Sequence, residues 1–227
     1  MTLLDRLRNR LIVSCQPLAD QPDDPMRDPG VQARIAAAVV LGGASGIRAN
    51  GTADIAAVRA AVTVPLIGLI KDGTAGCVIT PTAAHAERVV DAGADIVALD
   101  ATARPRPDRR SVGDTIRVVH DRGALVLADV STLEEGEAAV AAGADAVATT
   151  LSGYTGGPIP HEPDIDLVAR LADRLPVPVL AEGRYRKAEQ ITGAFEAGAH
   201  AVVVGNAVTS PLWITRSLLA GAAQAPR

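Results

Sequence analysis

Two apolar, strand-like runs about half a chain apart each end in an ionisable side chain. Pro65-Leu66-Ile67-Gly68-Leu69-Ile70 runs into Lys71, and Pro178-Val179-Leu180-Ala181 runs into Glu182. In a chain of alternating strands and helices, the carboxyl ends of the strands surround the binding site. A base and an acid delivered there imply proton transfer on a bound molecule. Lysine works as a base only when neutral, so its pKa must fall from about 10.4 through desolvation or a nearby cation. Arg48, on the neighbouring strand, is the candidate cation. In the alternative role Lys71 pairs with a carboxylate, stays charged and stabilises an enolate; both roles stand open at this level.

Other polar residues close the remaining apolar runs. Gln16 follows the first, Arg48 the second, Asp100 the fourth, Asp129 the fifth and Thr150 the sixth, and Gly205-Asn206 follows the last. Any one of them alone reads as a solvated residue where a strand meets water. Acid, amide and cation on successive strands together suit a small polar substrate. Strands three and seven face each other across an eight-strand ring, which lets Lys71 and Glu182 approach different parts of one molecule. Glu182-Gly183-Arg184 and Gly205-Asn206-Ala207 supply paired glycine turns where barrels hold phosphate with backbone amides, and Ser210-Pro211 provides an N-cap and first helical residue. His85, His120, His161 and His200 have no ligand spacing, so no metal is expected. Cys15 should point away from the interior if its neighbour Gln16 points in, as a packed thiol.

The elements that must position these residues show an internal rhythm. Ala92-Gly93-Ala94-Asp95, Ala142-Gly143-Ala144-Asp145 and Ala197-Gly198-Ala199-His200 each read as a helix end, a glycine stop and the entry to a buried strand. They recur at about two βα units, at roughly 25 residues per unit. Strands are expected near Leu11–Cys15, Ala44–Arg48, Pro65–Ile70, Asp95–Leu99, Leu125–Asp129, Asp145–Thr149, Val179–Glu182 and Ala201–Val204. Helical patterns fall at Asp54–Ala61, Ala83–Ala92, Ser111–Arg122, Leu133–Ala142, Ile165–Leu175 and Ala188–Ala197. Eight alternations predict an α/β fold, a single (β/α)8 barrel over residues 1–227; a doubly wound open sheet is the alternative. The Gly/Pro-rich stretch from Ser152 to Pro163 is either a lid at the mouth or an ordinary surface connection.

Composition narrows the class. Aromatics make up 2% of the 227 residues and the formal charge is -4 with no Lys/Arg block, which argues against nucleic acid and anionic membranes as partners. Two cysteines without knuckle spacing imply reduced thiols. Charges interrupt the apolar residues of Met1–Arg8 and no run is long enough to span a bilayer, so the expectation is a soluble cytoplasmic protein.

The ordered motifs resemble the N-acetylmannosamine-6-phosphate 2-epimerase family. The resemblance rests on Ser14-Cys15-Gln16, the segment Gly42–Gly51, Gly68-Leu69-Ile70-Lys71, Ile79-Thr80-Pro81-Thr82 and Ala98-Leu99-Asp100-Ala101-Thr102. It continues in Ala128-Asp129-Val130-Ser131-Thr132, the segment Thr149–Thr155 and Ala181-Glu182-Gly183-Arg184. It implies a TIM-barrel isomerase without a cofactor that interconverts N-acetylmannosamine 6-phosphate and N-acetylglucosamine 6-phosphate in sialic acid and amino-sugar catabolism. The family's catalytic pair falls on Lys71 and Glu182, and its sugar-holding positions on Gln16, Arg48 and Asp129. Two departures stand out. Thr209-Ser210-Pro211 lacks the family's phosphate-contacting arginine before the proline, which leaves Arg184 or Arg186 as substitutes, and Asp72–Gly76 lacks an aromatic-bearing turn. An epimerase of an unphosphorylated or related amino sugar, a Schiff-base sugar-phosphate aldolase and a non-catalytic sensor are the alternatives. A homodimer through Ala-rich helix faces is expected.

Overall fold

Runs of Ile, Val, Leu and Ala with no polar interruption make strands buried on both faces, the pattern of a parallel sheet covered by helices. The computed structural model describes residues 2–223, so the expected 1–227 domain extends at both ends into residues outside those described. Its strands are Arg10–Cys15 (β1), Gly46–Asn50 (β2), Leu66–Leu69 (β3), Ile96–Asp100 (β4), Leu125–Asp129 (β5), Ala146–Ala148 (β6), Val179–Glu182 (β7) and Ala201–Val204 (β8). They pair in parallel in chain order, and β8 returns to β1, closing a (β/α)8 barrel. The helices are Pro29–Leu41 (α1), Thr52–Ala61 (α2), Ala83–Asp91 (α3), Val112–Asp121 (α4), Leu133–Ala141 (α5), Ile165–Arg174 (α6), Ala188–Glu196 (α7), Asn206–Thr209 (α8) and Pro211–Ala223 (α9).

Local chemistry sets the helix ends. Asp28 accepts from Val31 N, Thr82 from His85 N, Thr132 from Glu135 N and Asp164 from Leu167 N, while Ser111 and Asp114 form a reciprocal capping box. The repeated glycines at 93, 143 and 198 all take positive φ. The residue two places later ties each repeat to its surroundings. Asp95 accepts from Leu66 N at 2.9 Å, Asp145 accepts from Val126 N at 2.8 Å, and His200 Nε2 lies 2.8 Å from Leu4 O.

Inside the barrel Ile12, Ile67, Leu69, Ile96, Leu127 and Leu180 pack with small Ala residues, and Leu7 of the short 3-10 turn Leu4–Leu7 joins them from below. Gly46 makes room for it, because a Cβ would stand 2.8 Å from Leu7 Cδ2 and the leucine would have to shift. Cys15 belongs to the separate layer between barrel and helices.

Two sequence expectations need correction. The second strand begins two residues later than expected: Ala44 N and Ser45 N bond to Val39 O and Leu11 O, and the ladder to β3 runs from Ile47 opposite Leu66 to Asn50 opposite Leu69. Arg48 therefore sits inside β2 and not at its end. Helix α1 carried no amphipathic signal because its apolar Ala, Val and Ile residues run round the whole circumference.

Candidate active site

Period-two alternation carries the packed interior upward into the mouth. Ile67 and Leu69 lead to Lys71, Ile96 and Ala98 to Asp100, and Leu127 to Asp129. Leu180 leads to Glu182, and Ala146 and Ala148 lead to the 3-10 turn Thr149–Leu151, which sets Thr150 on the cavity wall. Lys71, Asp100, Asp129 and Glu182 thus each continue an inward-facing row. A cavity of about 1250 Å³ opens above them, with Gln16, Lys71, Thr150, Glu182, Gly183 and Gly205 on its wall.

Arg48 and Asp129 lie beneath that wall, 1% and 0% exposed. The guanidinium grips Asp129 with both ends, Nη1 to Oδ1 at 3.0 Å and Nη2 to Oδ2 at 2.6 Å, and Nη1 also donates to Glu182 Oε2 at 2.6 Å. Thr150 Oγ1 donates to Asp129 Oδ1 at 2.6 Å. Burial alone would push the Arg48 guanidinium down, but the carboxylates of Asp129 and Glu182 reverse this and hold it charged. Burial pushes Glu182 up to about 7; the Asp129 charge adds to the rise, and Arg48, Lys71 and Thr150 oppose it. Asp129 occupies the bidentate face of Arg48, so one guanidinium is shared between two acids and Glu182 can hold a proton near neutrality.

Lys71 projects into the cavity and is exposed there. Its pKa is nonetheless pushed below that of a free lysine, first by the protein that crowds it at the mouth and then by Arg48, against the pull of Glu182 and Asp129. Water reaches the amine in the open cavity; a bound sugar would displace that water and strengthen the first effect. Its own amide donates to Asn50 Oδ1 at 2.8 Å. Lys71 is one of two lysines in the chain, against 20 arginines. At this position the chain carries the cationic side chain that can lose its proton.

The remaining expected residues divide. Gln16 is on the wall with Nε2 2.6 Å from Ser14 Oγ, and its Oε1 is buried without a partner. Gly183 and Gly205-Asn206, at the ends of the adjacent strands β7 and β8, line the cavity, as do Arg184, Arg186 and Trp213. Arg184 is turned to the Ser152–Pro163 loop: Nε donates to Glu162 O at 2.7 Å, Nη1 to Ser152 O at 2.6 Å, and the guanidinium stands 5.5 Å from the Tyr154 ring centre. Arg186 also reaches this loop, donating to His161 O. Ser210 is 1% exposed; its Oγ accepts from Trp213 N at 3.2 Å, so it caps α9 and does not line the cavity. Asp100 is committed to Arg104, 2.7 Å away, and to Thr102. Among the described residues no His, Cys, Asp and Glu group has the arrangement of a metal site, and no helix is long and apolar enough to cross a membrane.

Sequence reasoning missed Thr149 and Asn50. Thr149 Oγ1 donates to Glu182 O at 2.9 Å and accepts from Glu182 N at 3.0 Å, clamping the backbone of the acid. Asn50 lies two places past Arg48 on the same strand, and that shared parity was the available signal; Thr149, next to Thr150 in the 3-10 turn Thr149–Leu151, carried none.

Comparison with known proteins adds an independent line. Residues 32–223 match the family model described as "Putative N-acetylmannosamine-6-phosphate epimerase". The chain is 45% identical over 221 residues to a protein of Caldanaerobacter subterraneus subsp. tengcongensis, covering 95% of this chain and 92% of that one. It is 46% identical over 209 residues to a protein of Cutibacterium acnes, covering 90% of each. Both carry the name "Putative N-acetylmannosamine-6-phosphate 2-epimerase". The solved structure of the N-acetylmannosamine-6-phosphate 2-epimerase from Clostridium perfringens superposes with a TM-score of 0.92 at 37% identity, covering 97% of this chain and 96% of that one.

Proposed function

The chain belongs to the N-acetylmannosamine-6-phosphate 2-epimerase family of isomerases, and on that premise we propose that it interconverts N-acetylmannosamine 6-phosphate and N-acetylglucosamine 6-phosphate with its own side chains and no cofactor. The observation that carries this reading is the convergence of Lys71 and Glu182 on one cavity, their pKa values pulled toward each other from opposite ends of the scale. A lysine pushed toward its neutral form and a carboxyl pushed toward its protonated form are shifts in the directions a two-group proton transfer needs.

Glu182 donates a proton to the ring oxygen as the bond from C1 to that oxygen breaks and, as the carboxylate this leaves, takes the proton of the C1 hydroxyl; the resulting C1 aldehyde acidifies the proton on C2. Neutral Lys71 takes that proton and becomes an ammonium, and the electron pair moves into an enolate over C1, C2 and the C1 oxygen. Water protonates C2 on the opposite face and the Lys71 ammonium gives its proton to the hydroxide left behind; ring closure by the reverse relay, in which Glu182 takes the proton of the ring hydroxyl and returns one to the C1 oxygen, gives the epimer with no net change in atoms or charge. Arg48 anchors Glu182 through the ring-opening step, and Gln16, with a free Oε1, orients a hydroxyl or the N-acetyl N–H. The exchanged assignment, with Glu182 moving the C2 proton, is the variant to be tested. The phosphate is assigned to Gly183, Gly205 and Asn206, where backbone can approach an anion closely.

The test is proton NMR in deuterated buffer with N-acetylmannosamine 6-phosphate, beside the unphosphorylated sugar and a Lys71→Ala control. Conversion with deuterium at C2, lost in the control, is the expected result. Turnover without deuterium incorporation, or full activity in Lys71→Ala, would overturn the proton assignment. A second reading, an epimerase of the unphosphorylated sugar, is favoured by the burial of Ser210 where the family carries an arginine; turnover of that sugar alone would establish it.

We also infer a role in sialic acid and amino-sugar catabolism, the use of this substrate in the family, and a cytoplasmic setting in keeping with the free, buried Cys15 and Cys77. A homodimer is the proposed assembly. Leu218 and Leu219 on α9 are 69% and 66% exposed, an apolar face that a second copy would cover.

A further inference from the structure

Between β3 and β4 the barrel is not a simple pair of strands. Low in the barrel the two pair directly, Ile67 opposite Ile96 and Gly68 opposite Val97. Above that level the segment Val78–Thr80 enters between them. Thr80 N donates to Ile70 O at 2.7 Å, Thr80 Oγ1 accepts from Ile70 N at 3.3 Å and donates to Ala98 O at 2.6 Å, and Asp100 N donates to Ile79 O at 2.9 Å. On its other edge Ile79 bridges Lys71 in antiparallel sense, and Asp72 N donates to Val78 O at 3.0 Å. This insert sets the backbone of Lys71.

The insert is strained at its base. Thr80 is fully buried with φ at +45°, a left-handed conformation that a β-branched residue adopts at a cost. Arg106, from the loop between β4 and α4, holds it there. Nη2 donates to Thr80 O at 2.7 Å, Nη1 donates to Asp100 O at 2.8 Å, and Cys77 Sγ lies 3.8 Å from Nη1. Arg106 is 7% exposed, and among the described residues no carboxylate forms an ion pair with it. A buried guanidinium that joins two backbone carbonyls from different segments, with no counterion of its own, is a costly device for local packing alone.

We propose that Arg106 is a positioning residue for Lys71: it locks the Val78–Thr80 insert between β3 and β4 and so fixes where the lysine amine stands in the cavity. The charges facing that amine are Arg48 from β2, Asp129 from β5 and Glu182 from β7, while Asp72 beside it pairs with His85 at 3.4 Å. Displacing Lys71 outward moves it away from Arg48 and into water, and both changes restore its ordinary basicity. The consequence for turnover rests on the reading that Lys71 moves the C2 proton; the positional claim does not.

The two lysines make a direct test possible. The pH dependence of amine acylation at Lys71, read by peptide mass spectrometry with exposed Lys187 as internal reference, reports the basicity of Lys71 without turnover. Arg106→Met should move the Lys71 midpoint up by about one pH unit, a tenfold drop in neutral amine at a fixed lower pH, and lower kcat by about tenfold with KM within about twofold. Arg59→Met is the matched control. Arg59 also bridges two backbone carbonyls, Val62 O and Val64 O, and pairs with Asp95, but at the opposite end of the barrel. It should lower thermal stability without moving the Lys71 midpoint, and Arg106→Lys should recover part of the loss. If Arg106→Met does not fold, Thr80→Val, which removes only the hydroxyl bonds of the insert, carries the same reading. An unchanged Lys71 midpoint in a folded Arg106 or Thr80 variant, or an equal shift in Arg59→Met, would overturn the proposal. A shifted midpoint in a protein whose Lys71→Ala variant still turns over would keep the positional claim and remove the catalytic one.

Discussion

Nη1 of Arg48 donates to Asp129 Oδ1 at 3.0 Å and to Glu182 Oε2 at 2.6 Å, so one nitrogen ties a fully buried carboxylate to the acid on the cavity wall. Asp129 receives the second guanidinium nitrogen as well, at 2.6 Å, and is the stronger claimant on the charge. Replacing Arg48 by Met leaves two buried acids with no cation beneath them. Arg48→Met should cost about 3–5 kcal/mol of stability, measured by urea unfolding at pH 7. In the same variant the Glu182 carboxyl should lose its proton only at higher pH than in the parent, visible by NMR of the labelled side chain; an unmoved titration would refute the shared-cation account.

The raised pKa of Glu182 has a signed consequence for stability. Its folded value, about 7, exceeds the ordinary 4.5. Below pH 4.5 both states hold the proton and the contribution is fully present. Between pH 4.5 and 7 the unfolded chain ionises first, so stability falls as pH rises, by a total on the order of 3 kcal/mol, and the contribution is gone above pH 7. Glu182→Gln should flatten this window in a series of urea melts. In the proposed mechanism the same proton opens the sugar ring, so kcat/KM should fall above about pH 7 in the parent enzyme.

Arg184 spends its guanidinium on the loop at the mouth, so its loss should loosen that loop and leave the chemistry intact. Arg184→Ala removes two charge-assisted bonds to backbone oxygens and the stacking on Tyr154. KM should rise about tenfold with kcat within twofold, and cleavage between Gly153 and Pro160 by an added protease should become faster. A fall in kcat with constant KM would place Arg184 on the reacting sugar instead.

Ser210 cannot be exchanged for arginine without cost. Its hydroxyl caps α9 in a buried position, so Ser210→Arg loses a cap worth about 1 kcal/mol and overpacks the site by about 1–3 kcal/mol more. The preference for phosphorylated over plain sugar should not increase, as steady-state kinetics on both would show.

Much of this was legible in the sequence because it is local. The bounds of β5, β7 and β8 follow directly from their apolar runs, and alternation alone sets Lys71 and Glu182 in inward rows. The repeat glycines announce their stops through the same tripeptide each time. What was hidden depends on closure of the ring. Arg48 and Asp129 are 81 residues apart in the chain, and no pattern marks that their side chains meet beneath the wall. The bonds of Arg184 were hidden likewise: it lies on the cavity wall, and its guanidinium meets Ser152 O and Glu162 O, 32 and 22 residues away. The Val78–Thr80 insert was invisible because its segment reads as loop and is ordered by hydrogen bonds to two strands already formed.

The packed barrel interior, with Leu7 fully buried at its base, closes the cavity from beneath. The chamber is therefore a blind cup, and whatever enters must leave by the same rim. Substrate and product differ at a single carbon, so each competes with the other for the one doorway. The net direction of flux then follows from the supply and removal of the two sugars, and at equilibrium each molecule released has the same route back in.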